Sequence, residues 1–198
     1  MAHELRDRLV AMGSEQAQAL HDILHVYEGL ADRYGLWDAA NIMMEWCSDD
    51  GFIDFRAWLI AQGKEVYLSA LKDPDTLADI EPYGNCCFES LSYVGDDAYR
   101  QLTGQNAYEN ADPAARKKWK AILGADIVYR EDIRFPRPRR ALPAAYPRLC
   151  AKYGGAERFD TDDIGWNIGS KDVRSLLERG KEYDLEKKLS QKKGGEGR

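Results

Sequence analysis

Between Ser14 and Tyr34 the apolar residues fall at Ala17, Leu20, Ile23, Leu24, Tyr27, Leu30, Ala31 and Tyr34. Spacings of three and four residues put one apolar stripe along an α-helix, and they do not fit a strand, whose faces alternate every residue. Ser14 supplies an N-cap residue and Gly35 a stop. The same grammar recurs along the chain. Trp37, Ala40, Asn41, Met44 and Cys47 share one face of a second helix over 36–47. Phe52, Phe55, Trp58 and Leu59 point inward from a third over 51–62, and Val66, Tyr67, Ala70 and Leu71 from a fourth over 64–73. Asp73-Pro74-Asp75 caps a short helical turn, proline being suited to a first helical position. Residues 86–103 form another helix, with Leu91, Val94, Ala98, Tyr99 and Leu102 inward and Gly104 as its stop. Asp112-Pro113 opens a helix that ends at Gly124. The expectation is therefore an all-α fold of five or six core helices around Trp37, Phe52, Trp58 and Tyr67, with at most one short strand at 125–129.

Past residue 130 the pattern changes. Arg134-Phe135-Pro136-Arg137-Pro138-Arg139-Arg140 is unsuited to a regular helix or a central strand, because its prolines lack donors and its charges repel. It reads as an extended, polyproline-like strap. A short helix follows at 144–153, then a helix near 172–179 and a charged tail at 191–198 without a packed core. The domain division expected is 1–153 with an extension over 154–198. The 198 residues fit one domain with an appendage. No apolar run approaches a membrane span, and the first residues lack a secretory leader's apolar stretch. The expected setting is the cytoplasm, with Cys47, Cys86, Cys87 and Cys150 reduced and Cys47 and Cys150 packed as small hydrophobes.

The block Trp37-Asp38, Cys47-Ser48-Asp49-Asp50-Gly51-Phe52, Phe55-Arg56-Ala57-Trp58-Leu59-Ile60-Ala61-Gln62-Gly63-Lys64-Glu65-Val66-Tyr67 and Asp73-Pro74-Asp75-Thr76-Leu77-Ala78 is distinctive. With Glu89, Tyr93-Val94, Ala98-Tyr99 and Leu102-Thr103-Gly104, it resembles the DUF4240 family, over roughly residues 1–153 and most specifically over 37–78. The resemblance implies a mostly helical bacterial domain. The family's function is unknown, so it implies no activity, cofactor or catalytic residue.

Charge is unevenly distributed. Residues 1–112 hold 7 Lys/Arg against 21 Asp/Glu, residues 113–152 hold 11 against 3, and residues 153–198 hold 10 of each. An acidic body thus carries a basic segment, which either lies across that body or meets an anionic partner. A pI near 5.2 argues against nucleic-acid binding as the main activity.

Four constellations bear on function. Asp49 and Asp50, with Arg56 and Glu65 beyond, can share a proton or bind a cation; the structural alternative is a helix cap with Arg56 paired back to a carboxylate. His21, His25, Glu28 and Asp32 lie on one helical face. They offer either two imidazoles and a carboxylate to a metal, or a solvated polar face with His25 paired to Glu28 or Asp32. The aromatic residues fit a core, except Trp46, which falls off the stripe and suits an interface. The arginine strap, with Lys117, Lys118 and Lys120, lacks the Gly-rich loop of a phosphate cradle. A Cys47–histidine nucleophile would need the fold to bring His21 or His25 to it.

The reading these support is a protein-binding module that neutralises or regulates a protein partner, with Trp46, Asp49, Asp50, Arg56, Glu89, Arg137, Arg139 and Arg140 at its surface. No cofactor, resident metal or membrane contact is expected. The alternatives are a carboxylate-based hydrolase, with or without a metal, centred on Asp49, Asp50 and Arg56, and a nucleic-acid accessory factor using the arginines of 134–140.

Overall fold

The computed structural model describes residues 1–82, 84–131, 135, 137–154, 156–161 and 178–186. Its elements are α1 (Ala2–Met12), α2 (Ser14–Leu30), α3 (Tyr34–Met44), α4 (Asp49–Ala61), α5 (Lys64–Lys72), a 3-10 helix (Pro74–Asp79), α6 (Glu89–Thr103), α7 (Pro113–Leu123), α8 (Leu142–Ala145) and α9 (Pro147–Tyr153). Short 3-10 helices also span Arg139–Ala141 and Ala156–Phe159, and residues 178–186 are helical. The fold is all-α, with no strand among the described residues.

Local chemistry sets the boundaries. Ser48 caps α4, its Oγ accepting from the Gly51 N–H at 3.0 Å, and Asp112 caps α7 by accepting from Ala114 N–H at 2.8 Å, with Pro113 following. Gly104 ends α6 in the left-handed region at φ 72°, where a side chain would be strained.

α2 packs along α6, with α1 and α4 also against α6 and α7 against α2. A smaller apolar cluster (Leu9, Ala17, Leu24, Ala57, Leu91, Val94, Ala98) fills the space between α1, α2, α4 and α6. The larger cluster centres on Phe52, Phe55, Trp58, Leu59 and Tyr67, and Leu142, Tyr146, Leu149 and Cys150 complete it from the far end of the chain. Trp37 stacks on Phe52 at 4.9 Å and donates its indole N–H to the Cys47 carbonyl at 3.0 Å.

The helix count exceeds the expectation of five or six. α1 buries only Leu9 fully, so its sequence stripe is faint. The long first helix stops at Leu30: Arg33 is extended and Tyr34 opens α3. The helix expected at 144–153 is two, because Pro147 begins a new one. Residues 125–129 form no strand. Tyr93 and Leu102, expected inward, are exposed. Pro138 has polyproline-like angles (φ −62°, ψ 149°), whereas Arg134, Pro136, most of the helix expected at 172–179 and the 191–198 tail lie outside the described residues.

Candidate functional site

Asp49 and Asp50 occupy the first turn of α4, where helix-dipole interaction favours negative charge. They do not cap the helix; Ser48 does. Ile53, four residues after Asp49, lies on the same side of α4. Phe88 donates its N–H to the Asp54 carbonyl at 3.1 Å, so α6 starts beside α4. Glu89 is in the first turn of α6, and Tyr93 follows it one turn later. Asp54 feels the result: partial burial, then the charges of Glu89 and Asp50, raise its pKa. Trp46 (55% exposed) just before α4, Ile53 (40%) on α4 and Tyr93 (46%) on α6 are large apolar side chains open to solvent. None of Asp49, Asp50, Asp54 and Glu89 has an ion-pair partner among the described residues. Ile53 and Asp54 escaped the sequence reading, which placed Tyr93 among the core aromatics. The position of Ile53 off the Phe52–Phe55–Trp58–Leu59 stripe was the available signal; the approach of Asp54 to Glu89 had none.

Arg56 does not converge with the aspartates. Its guanidinium turns to α2, donating to the Glu28 carbonyl at 3.1 Å, approaching Asp32 at 3.7 Å and lying 4.9 Å over the Phe52 ring. Cys47 is buried, and burial, followed by the nearby Cys87 and Asp54, pushes its thiol up to about 12, which suppresses the thiolate a nucleophile needs.

Part of the basic segment lies on the acidic body, while Lys117, Lys118 and Lys120 are exposed. Arg116 pairs with Asp22 at 2.8 Å, Arg130 with Asp73 at 3.1 Å and Lys152 with Glu81 at 2.9 Å, and Arg148 pairs with Asp79. In the strap, Arg139 donates to the Glu45 carbonyl at 3.1 Å and Arg137 sits 3.8 Å from Asp184. Arg140 is exposed. The described strap is therefore not a solvent-facing row of arginines.

The histidine face is buried at His21 and Glu28, half-buried at His25 and solvated only at Asp32. Ser92 donates to Glu28 Oε1 at 2.6 Å, and His25 Nδ1 lies 3.1 Å from Glu28 Oε2. Burial raises the Glu28 pKa, but the His25 and Ser92 hydrogen bonds outweigh it and the net shift is downward. Arg116 approaches His21 Nε2 at 3.4 Å. A guanidinium only donates, so that nitrogen accepts and the proton sits on Nδ1. Burial first, then His25, lowers the His21 pKa to about 4. Tyr108 covers both rings, with centroids at 4.4 Å from His21 and 5.1 Å from His25. His25 Nδ1 and Glu28 are committed to each other and to Ser92, whereas His21 Nδ1 and His25 Nε2 are buried without a hydrogen-bond partner. No group of three or more His, Cys, Asp or Glu among the described residues is placed to hold a metal ion. No described helix is long and apolar enough to cross a membrane.

A cavity of about 750 Å³ opens elsewhere, between the start of α3, the 3-10 helix at Pro74 and residues 129–131. None of Trp46, Asp49, Asp50, Glu89 and Arg56 lines it.

A family model for a protein of unknown function (DUF4240) matches residues 1–101, half of the chain. The match ends before the basic segment, short of the 153 residues the resemblance suggested. No curated protein and no solved structure matches the sequence.

Proposed function

The chain belongs to the DUF4240 family, and from that premise we propose that it is a protein-binding module whose acidic, aromatic corner takes a basic segment of a partner protein. One observation carries the reading: Asp50, Asp54 and Glu89 lie close enough for their charges to act on Asp54, with no ion-pair partner among the described residues, and Trp46, Ile53 and Tyr93 are exposed on the segments that carry them. Aromatic anchors supply contact area at low entropic cost, and unneutralised carboxylates favour lysine and arginine on the partner. The repulsion felt by Asp54 is relieved when cations arrive. A hydrolase at Asp49, Asp50 and Arg56 has less support, since the arginine turns away from the aspartates. The accessory-factor reading has less support too, with Arg137 and Arg139 held against other parts of the chain.

The test is cross-linking capture from a host lysate with the wild-type protein beside Trp46→Ala and Asp50→Asn/Glu89→Gln, each checked for an unchanged melting midpoint. The expected result is a protein cross-linked through a Lys/Arg-rich segment, released by salt and lost with the variants. Equal capture by all three proteins, or a contact segment without basic residues, overturns the proposal.

A further inference from the structure

We propose that the cavity at the start of α3 is a binding site for a small planar heteroaromatic ring that carries an anionic group, the chemistry of a nucleoside monophosphate. Its volume, about 750 Å³, lies in the range of small-molecule sites, roughly 300–1,000 Å³. The floor is apolar, from Leu36, Leu71 and Pro74, and Trp37, Tyr129 and Phe135 add rings to the walls. A flat, polarizable guest is what such walls recognise.

Arg33, in the lining, offers a cation to an anionic group, and Arg179 lies outside the lining, over Phe135. The Arg33 guanidinium carbon lies 4.0 Å from the centroid of the Tyr129 ring. The Arg179 guanidinium carbon lies 6.0 Å from the centroid of the Phe135 ring, and its charge also acts on Tyr34, another lining residue. Neither Arg33 nor Arg179 has a carboxylate partner among the described residues. That separates them from Arg130 in the same wall, which donates to Asp73 at 3.1 Å and to the Ala145 carbonyl at 2.9 Å. Arginines laid on ring faces are already ordered, and their planar fork matches phosphate and carboxylate oxygens. Asp32 and Glu131 also line the cavity and accept only. Asp32 is approached by Arg56 at 3.7 Å, and its remaining acceptor capacity favours a ring bearing N–H donors over a hydrocarbon one, which points to an amino-substituted base.

This site is separate from the acidic corner, so either proposal stands or falls alone. The test is calorimetric titration with AMP, adenosine and inorganic phosphate, together with ¹H–¹⁵N spectra that follow the Trp37 indole. AMP should bind saturably and move the Trp37 signal, with adenosine and phosphate each at least about tenfold weaker. Arg33→Ala and Arg179→Ala should each weaken AMP about tenfold, and Trp46→Ala should leave it unchanged. If Arg33→Ala fails to fold, Arg33→Lys serves in its place, keeping the charge and losing the planar fork. No saturable AMP binding up to millimolar concentration, adenosine or phosphate binding as well as AMP, or affinity indifferent to both arginines overturns the proposal.

Discussion

Gly95 on α6 is pressed against His21 on α2 so closely that a Cβ built on the glycine would lie 2.8 Å from the His21 backbone nitrogen and Cα. Real Cβ contacts do not come that near to backbone, and backbone of a packed helix cannot swing aside as a side-chain tip does. A glycine within a helix ordinarily costs about 1 kcal/mol relative to alanine. Here the close approach of two helices requires it. Gly95→Ala should therefore destabilise despite its better helix propensity, by about 1–3 kcal/mol as overpacking does. Chemical denaturation measures this; a variant as stable as the wild type would show that the contact yields freely.

The same contact seals His21 as a neutral base, and this sets a pH dependence. Its folded pKa of about 4 lies below the 6.5 of an ordinary histidine, so the unfolded chain binds more protons between those values. Stability from this residue is complete above pH 6.5 and falls as the pH drops toward 4. At about 1.4 kcal/mol per pKa unit, the loss is about 3 kcal/mol. Glu28, with its pKa lowered, adds a loss of the same sign below its ordinary value of 4.5. Urea midpoints measured from pH 7.5 to 4 should fall for the wild type. His21→Asn should be less stable at neutral pH but nearly flat between pH 6.5 and 5. An equally steep slope in the variant would assign the effect to other groups.

At the exposed corner, charge opposes stability. Asp54 is partly buried beside Glu89 and Asp50, and its raised pKa means that ionisation is disfavoured in the folded chain. Its protonated form is the one the fold prefers, so stability from this group is present below its unfolded pKa and declines as the pH rises through the folded pKa. Asp54→Asn should hold or raise the melting midpoint at pH 7 while weakening capture of a basic partner. A midpoint lowered by several degrees would contradict the repulsion.

Local rules wrote most of this fold legibly. The 3–4 spacing of Phe52, Phe55, Trp58 and Leu59 gave α4, and Asp112-Pro113 gave the start of α7. What stayed hidden is long-range. Nothing near His21 in the sequence announces Gly95, and Arg116 meets Asp22 from 94 residues away. The histidine face looked solvated because a polar stripe beside an apolar one ordinarily faces water. Burial came from α6 and α7, which supply Ser92 and Arg116 to its charges. Tyr93 was misread for a related reason: α6 turns Leu91, Val94, Gly95 and Ala98 inward and leaves Tyr93 on its outer side. Trp46 was legible as an off-stripe residue and Asp49 and Asp50 as helix-opening ones, whereas the approach of Glu89 to Asp54 and the turn of Arg56 toward α2 were not.

The family match stops at residue 101, but the core does not. Tyr146 is fully buried and donates its hydroxyl to Asp38 Oδ2 at 3.1 Å across a sequence separation of 108 residues. Leu142, Leu149 and Cys150 bury beside it in the cluster that holds Phe52 and Trp58, and Asp75 accepts from the Arg148 and Leu149 N–H groups at 3.1 and 2.9 Å. Residues 142–150 thus close the main core of the matched segment. Tyr146→Ala should cost about 3–5 kcal/mol, the range for a buried large aromatic. Tyr146→Phe should cost less, losing only the hydrogen bond to a buried carboxylate, about 1–3 kcal/mol. A chain ending at residue 101 should show exposed hydrophobic surface and no cooperative melting transition by calorimetry. A sharp transition from that fragment would mean that residues 1–101 close their own core and that Tyr146 only covers it.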